Sequence, residues 1–316
     1  MMCLSIDIGS GFTKIFDGTN IVSFPTIVSN AIDSAGFSEK SCIVIDDEKF
    51  YVGDDVRGQE KWYDARTSDF VGSSQWSALL AQAIKACSIP NMYKNALILG
   101  IPAEQYDKGK AAELVNVLKR RYVYAGNDRI DLDSAYISIV PQAFGIFLKY
   151  LNDSGIGSDY RTMVISVLDI GFHTIDIITV DKGKYVDDYA NSFPMGVSVL
   201  LDEIRREVNK KYRYFISRED AIQFIQNSRL DWLGETFELK NVKNIVRKYA
   251  ANVETIVNNY MEGHRFDIGI AGGGWVHLLQ NIVKLKKKLS AVSALAAANA
   301  IGYWYYGMEK YGKVQR

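Results

Sequence analysis

The sequence predicts an α/β fold with two related domains that face each other across a cleft. An apolar strand that runs into Asp-Ile-Gly occurs twice, at residues 4–14 and at residues 167–177. A unit that recurs in each half of a chain indicates two related domains. The 316 residues are also enough for two domains of ordinary size, each with its own core.

The first of these two turns contains residues that suit a phosphate group. Gly9 and Gly11 leave backbone N–H groups unshielded, and successive N–H groups form a concave nest for phosphate oxygens. Lys14 can add a positive charge, and Asp7 can hold Mg²⁺ directly or through water. Taken alone, the pattern fits an ordinary β-hairpin equally well.

A second turn repeats the first, and this repetition favours phosphate binding over an ordinary β-hairpin. Asp169 and Gly171 reproduce the Asp-Ile-Gly pattern, and Thr174 follows Asp169 by five positions, where Thr13 follows Asp7 by six. We therefore predict a second turn that is one residue shorter than the first. Two such hairpins could hold the phosphates of a nucleotide between them, each with a carboxylate on the metal side.

Strand and helix patterns fill the rest of the chain. Pro141 follows a predicted strand and suits the first position of a helix. Small residues at Ala294, Ala297, Ala298 and Gly302 would let an Ala-rich helix cross another helix closely. The main predicted helices are 74–88, 102–121, 141 onward, 196–211, 217–227, 239–261 and 290–306, and the main predicted strands are 20–27, 43–52, 96–101, 135–140, 163–168, 174–180, 185–191 and 267–271.

Composition and charge exclude several classes of function. The formal net charge is zero, so no overall field attracts nucleic acid or anionic lipid. No apolar run reaches the roughly 18–20 residues of a membrane span, and no secretory signal pattern precedes the first strand. Three scattered cysteines form neither a disulfide framework nor a zinc site. We expect a cytoplasmic protein.

Five segments, in order along the chain, resemble the motifs of the actin, DnaK-chaperone and sugar-kinase superfamily. A Tyr-Val-Gly step at 51–53 is similar to one in the ParM-like proteins. The chain is identified as a member of the ParM-like plasmid-segregation actins and the related archaeal actin-like proteins. The five segments are the two phosphate motifs at 7–14 and 169–176, the first connecting helix at 139–145, the adenosine motif at 268–274 and the second connecting helix at 297–302.

The resemblance implies an actin-like two-domain ATPase fold, in which two ribonuclease H-like domains flank a nucleotide cleft. Domain I would comprise residues 1–141 and 293–316, with a small subdomain at about 28–70. Domain II would comprise residues 142–292, with a small subdomain at about 210–250.

The resemblance also implies roles for individual residues. Asp7 and Asp169 would organise Mg²⁺ and hold it through its water ligands. Gln142 would orient the attacking water and completes the predicted catalytic set. ParM proteins more often have Glu at this position, and because a Gln side chain cannot take up a proton at neutral pH, slow hydrolysis is expected. The alternative is that Gln142 is an ordinary polar residue at a helix start.

The predicted nucleotide-binding residues come from both phosphate turns, from a helix start and from a run of three glycines. Three consecutive glycines let the backbone lie flat against ribose and α-phosphate, whereas a simple strand–helix turn needs only one or two. The full set is Gly9, Ser10, Gly11, Phe12, Thr13, Lys14, Gly171, Phe172, His173, Thr174, Gly196, Gly272, Gly273 and Gly274.

Three functional classes are compatible with the superfamily pattern, because a fold alone does not settle function. The favoured class is a filament-forming protein that binds and hydrolyses ATP, or GTP, with Mg²⁺ and segregates plasmid DNA or positions cargo. Its partners would be further copies of itself in a head-to-tail filament and an adaptor protein on centromeric DNA. The alternatives are a small-molecule kinase, for which no acceptor-site base is evident, and a chaperone-type ATPase, for which no peptide-binding domain is evident.

Overall fold

The structure is a computed structural model that describes residues 1–31, 42–56, 69–88, 92, 94–227, 229–232, 234–238, 240–276 and 289–312. Parts of the predicted first small subdomain, residues 32–41 and 57–68, therefore lie outside the described residues. Within the described ranges, no helix combines the length and the apolar character that crossing a bilayer requires.

A five-stranded sheet organises the first half of the chain. Its strand order is β10-β7-β1-β2-β3, in which β1, β2 and β3 are antiparallel neighbours and β7 and β10 continue the sheet in parallel with β1. Every residue of β1 and β7 is buried, as expected for central strands covered on both faces. The strands are β1 Cys3–Ile8, β2 Phe12–Phe16, β3 Ile21–Pro25, β7 Ala96–Ile101 and β10 Tyr136–Pro141.

The second half of the chain repeats this sheet. Its order is β13-β12-β11-β16-β17, again with three antiparallel strands followed by two that run parallel to the first of them. The shared order confirms the prediction of two related halves. The strands are β11 Val164–Ile170, β12 Ile175–Asp181, β13 Lys184–Phe193, β16 Ile268–Gly272 and β17 Leu289–Ala291.

Two smaller sheets complete the strands. One has the order β4-β6-β5-β8-β9 and includes residues 123–129, beyond the predicted range of 28–70. The other is a hairpin of β14 and β15 within residues 229–238, a segment without a clear period in its sequence. These strands are β4 Val28–Asn30, β5 Ile43–Ile45, β6 Glu48–Val52, β8 Val123–Ala125, β9 Asp128–Arg129, β14 Arg229–Trp232 and β15 Glu235–Glu238.

Three of the helices begin at side chains that satisfy free backbone donors. Ser73 caps α1 and Asp107 caps α2, while Ser217 and Asp220 exchange hydrogen bonds at the start of α5. The helices are α1 Ser74–Ala86, α2 Lys108–Arg120, α3 Phe144–Ser154, α4 Val197–Tyr212, α5 Arg218–Asn227, α6 Val242–Gly263 and α7 Ala298–Tyr311.

Helices α3 and α7 cross closely between the two large sheets. A Cβ atom added at Gly302 would collide with the backbone of Gly145, and one added at Gly145 would collide with the backbone of Asn299. The predicted close crossing at Gly302 is therefore confirmed. Helix α3 packs on β11 and β16 of the second sheet and α7 on β1 and β7 of the first, so the crossing lies between the two sheets.

Three predicted helix starts were wrong. Pro141 is the last residue of β10, and Ala143 has a left-handed backbone conformation (φ 64°), so α3 begins only at Phe144. The predicted helix at 102–121 begins at Lys108, after a short 3-10 turn, because Asp107 provides the cap. The predicted helix at 290–306 starts as strand β17 and becomes α-helical only at Ala298.

Candidate functional site

The two Asp-Ile-Gly turns meet at a cavity of about 250 Å³ between the large sheets. Thirteen of the seventeen predicted site residues line this cavity, among them both aspartates and Gln142. The lining residues are Asp7, Gly9, Ser10, Gly11, Phe12, Lys14, Ser23, Gln142, Asp169, Gly171, Phe172, Thr174, Asp176, Gly273, Gly274, Trp275, Leu295, Ala296 and Asn299.

The two turns are equal in length, so the prediction of a shorter second turn was wrong. In the first hairpin Asp7 pairs with Lys14 across the strands, and in the second Asp169 pairs with Asp176. Each aspartate thus pairs with the residue seven positions later. The counterpart of Lys14 is therefore Asp176, and the two threonines that suggested a deletion do not occupy equivalent positions.

Asp7 is held by a cation and an amide. The Lys14 Nζ atom lies 3.4 Å from Asp7 Oδ2, and Gln142 Nε2 donates a hydrogen bond to Asp7 Oδ1 at 3.1 Å. Asp7 is only 4 % exposed, so these two partners provide the polar contacts that a buried carboxylate requires. The backbone of Gln142 is fixed as well, because its N–H donates to the carbonyl of Ile101 at 2.7 Å.

Asp169 occupies the matching position in the second half but has a different environment. Asn299 Nδ2 donates to Asp169 Oδ2 at 2.8 Å. Burial, and then the nearby charges of Asp176 and Asp7, raise the pKa of Asp169 to about 7. Desolvation and like charge both disfavour the ionised form. A cation in the cavity would offset this repulsion, so the donor set fits a hard divalent ion that prefers oxygen ligands.

Asp176 is a site residue that the sequence analysis missed. It lines the cavity, and the Thr174 hydroxyl donates to its Oδ2 atom at 2.7 Å. Burial raises the pKa of Asp176 above its ordinary value. The signal that could have identified it was the strand register, because the cross-strand partner of the first aspartate is also at the cavity.

Close approaches at two glycines bring the walls of the cavity together. A Cβ atom at Gly11 would lie 2.7 Å from Phe172 Cβ, so the two Asp-Ile-Gly turns are in direct contact. Gly273 has a φ of 96°, and a Cβ atom there would collide with the Asp169 carboxylate. Glycine at these positions lets both turns reach the same space.

Four predicted residues do not line this cavity. Thr13 is fully buried and its hydroxyl bonds that of Thr26 at 3.0 Å, while Gly272 packs against Ile146. Gly196 supports the second turn from behind, since a Cβ atom would collide with the backbone of His173 and Phe172. His173 itself lines a neighbouring cavity of about 400 Å³, which shares Ser10, Gln142, Thr174 and Asp176 with the first.

The carboxylates are too few to form a complete protein cage for a metal. Among the residues that the structure describes, no group of three or more His, Cys, Asp and Glu side chains is arranged to hold a metal ion. A metal at Asp7 and Asp169 would therefore take its other ligands from water or from a bound ligand. Magnesium commonly binds in this way, through one or two carboxylates together with phosphates and water.

Comparison with known families identifies both halves. Residues 5–145 match the family described as actin-like proteins, N-terminal domain, and residues 167–284 match the archaeal actin homologue MreB-like C-terminal family. A search of curated protein sequences found no match.

Solved structures share the fold over nearly the whole chain. A ParM described as the pCBH non-polymerisable quadruple mutant is 20 % identical with a TM-score of 0.76, covering 98 % of this chain and 99 % of its own. A 15-stranded ParM filament from Clostridium botulinum gives the same values. The archaeal actin homologue Ta0583 in complex with ADP is 18 % identical with a TM-score of 0.75, covering 98 % of this chain and 100 % of its own.

At these identities the structural likeness establishes the fold, and the two family matches establish the relationship. The matched segments contain both Asp-Ile-Gly turns, and the resemblance inferred from the sequence is confirmed. The first half of the chain thus matches the actin-like protein family and the second half the archaeal MreB-like actin homologues, on a fold that the chain shares with ParM and archaeal actin structures.

Proposed function

We propose that this protein binds a nucleoside triphosphate, ATP or GTP, with Mg²⁺ in the cavity between its two large sheets and hydrolyses it. The observation that carries the proposal is the convergence of two equivalent turns, one from each half, on a single cavity. We take the halves as domain I, residues 1–141 and 293–316, and domain II, residues 142–292.

The residues around the cavity suit distinct parts of the ligand. Asp7 and Asp169 would hold Mg²⁺ through water. Backbone N–H groups of both turns, together with Lys14, would surround the β- and γ-phosphates, and Gly272–Gly274 would lie against ribose and α-phosphate. The contact between Gly11 and Phe172 supports this arrangement, because it brings the turns close enough to share one phosphate chain.

Gln142 would position the water that attacks the γ-phosphate. Its amide nitrogen is used on Asp7, which makes the amide oxygen the atom that can accept a hydrogen bond from that water. An amide orients water without removing its proton, so hydrolysis would be slow.

Nucleotide would in turn control self-assembly. We propose a head-to-tail filament, since a heterologous contact that does not close adds subunits without limit. One of the similar structures is a ParM filament, and another is an archaeal actin homologue with ADP. Plasmid segregation or cargo positioning in the cytoplasm, through an adaptor on centromeric DNA, is the corresponding cellular role.

Light scattering with Mg²⁺ and ATP, GTP or ADP, combined with phosphate release and negative-stain microscopy, tests the proposal. We expect polymer that forms with a triphosphate and phosphate that is released as polymer accumulates. Phosphoryl transfer to a sugar or acid without any polymer would instead indicate a small-molecule kinase. The absence of nucleotide binding would contradict the assignment of the cavity.

A further inference from the structure

Asn299 connects α7 to one of the two site carboxylates. Its Nδ2 atom donates to Asp169 Oδ2 at 2.8 Å, and its side chain lines the cavity while only 6 % of the residue is exposed. The reverse amide orientation would place two oxygen atoms against each other. The hydrogen bond therefore fixes the nitrogen on Asp169 and leaves the oxygen free of it.

The Oδ1 atom of Asn299 is a buried acceptor without a hydrogen-bond partner. Five other buried side-chain polar atoms in the described part of the chain also have no partner, but none of their residues lines this cavity. A buried acceptor without a donor is unfavourable, and a donor that arrives with a ligand would remove the penalty. The unpartnered oxygen thus indicates that a ligand supplies a donor here.

Gln142 provides a useful comparison, because it makes the same kind of contact on the other side. Its amide donates to Asp7 from the turn before α3, as that of Asn299 donates to Asp169 from the first turn of α7. Only Asn299 is left with a buried oxygen lacking a partner, among these two amides. Of these two amides, the one with a buried acceptor that lacks a donor is therefore the one bound to Asp169.

A water molecule bound to magnesium would be a suitable hydrogen-bond donor for Asn299 Oδ1. Magnesium retains several waters in most protein sites, and groups that hydrogen-bond to metal ligands orient them and tune the metal. Asn299 already contacts Asp169, one of the two carboxylates assigned to the metal. A metal held by that carboxylate would bring its waters into the neighbourhood of the Asn299 amide.

We propose that Asn299 is a positioning residue for the magnesium–nucleotide complex. Its Nδ2 atom fixes the Asp169 carboxylate, and its Oδ1 atom accepts a hydrogen bond from a water of the bound magnesium. This inference rests on the proposed function, since it requires a magnesium nucleotide in the cavity. Through Asn299, helix α7 would increase the affinity for nucleotide when magnesium is bound and would have little effect on it when magnesium is absent.

The test measures ADP affinity by titration calorimetry, once with excess Mg²⁺ and once with EDTA. The variants are Asn299→Ala and Asn299→Leu, of which the second retains most of the side-chain volume. Asn152→Ala is the matched control, because Asn152 Nδ2 donates to Tyr305 at 2.9 Å and joins α3 to α7 without lining the cavity. Thermal unfolding without ligand establishes that each variant is folded.

We expect both Asn299 variants to lose about tenfold in affinity with Mg²⁺ and less than twofold with EDTA, while Asn152→Ala changes neither value. An equal loss under both conditions would mean that Asn299 acts on the fold or on the nucleotide itself, and would overturn the inference. Unchanged affinity with Mg²⁺ would also overturn it. A wild-type protein that binds no ADP would refute the proposed function as well.

Discussion

Gly302 of α7 lies directly against the backbone of Gly145 in α3, with no space for a side chain at either position. This contact sets the separation of the two helices that join the large sheets. It also affects the position of two cavity residues, because Gln142 precedes α3 and Asn299 lies in the first turn of α7. Small changes at this crossing should therefore affect the whole molecule.

We expect Gly302→Ala to destabilise the protein by about 1–3 kcal/mol, the usual cost of overpacking a close contact. Gly263→Ala is the matched control, since it also lies in a helix but a Cβ atom there would have no neighbour within 4 Å. Alanine should be neutral or slightly stabilising at that position. Urea unfolding measures both, and equal stabilities would mean that the helices separate easily.

The stability of the ligand-free protein should depend on the ionisation of Asp169. Its pKa is raised from an ordinary value of 3.8 to about 7, so between these values the folded state binds more protons than the unfolded state. Stability from this group must then fall as pH rises from about 4 to 7. Asp169→Asn removes this contribution, and we expect it to flatten the dependence of the unfolding midpoint on pH. A variant that keeps the wild-type dependence would show that Asp169 is ionised throughout.

Asp169→Ala should abolish nucleotide hydrolysis and leave the protein folded. It removes a proposed metal carboxylate and also relieves repulsion with Asp7 and Asp176, so the loss of activity would not reflect unfolding. Phosphate release and circular dichroism measure the two properties. Retained turnover would mean that the second turn does not serve the metal.

Gln142→Ala should separate hydrolysis from binding. We expect phosphate release to fall by about a hundredfold, the usual cost when a reacting group is displaced by about 1 Å from its productive position. Nucleotide affinity should change by much less, provided that Lys14 still holds Asp7. Single-turnover hydrolysis and calorimetric titration of the same preparation provide the measurement. An equal loss in both quantities would make Gln142 a binding residue.

Tyr303 offers a test of the buried polar groups in α7. Its hydroxyl is buried without a hydrogen-bond partner, so Tyr303→Phe should not destabilise the ligand-free protein and should stabilise it by about 1 kcal/mol. Tyr260→Phe is the opposite case, because the Tyr260 hydroxyl contacts Thr179 at 3.1 Å and donates to the carbonyl of Tyr189 at 2.6 Å. Its loss should cost about 1–2 kcal/mol in chemical unfolding. Equal effects would show that Tyr303 has a partner in solution.

The sequence predicted the positions of the two turns correctly, though not the length of the second, because the signals that mark a turn are local. An apolar strand, an aspartate and closely spaced glycines specify a hairpin within about ten residues. The repetition of that hairpin then predicted two related sheets, which the strand orders confirm.

The features that the sequence did not predict depend on contacts between distant segments. Asp176 faces the cavity only because of its register opposite Asp169, and a threonine match in the sequence concealed that register. Asn299 reaches Asp169 from 130 positions away. The start of α3 was misplaced because Ala143 has a positive φ, which no residue preference for alanine indicates.

Lys14 and Asp176 occupy equivalent positions in the two hairpins but carry opposite charges. This difference affects the orientation in which a ligand would bind. If the two hairpins carried identical side chains, a phosphate chain could bind between them equally well in either of its two orientations. Because one hairpin has an ammonium group and the other a carboxylate at this position, the two orientations of the ligand differ in electrostatic energy. In the proposed function, a triphosphate would therefore bind in one orientation, and every subunit of the proposed head-to-tail filament would hold it in the same orientation.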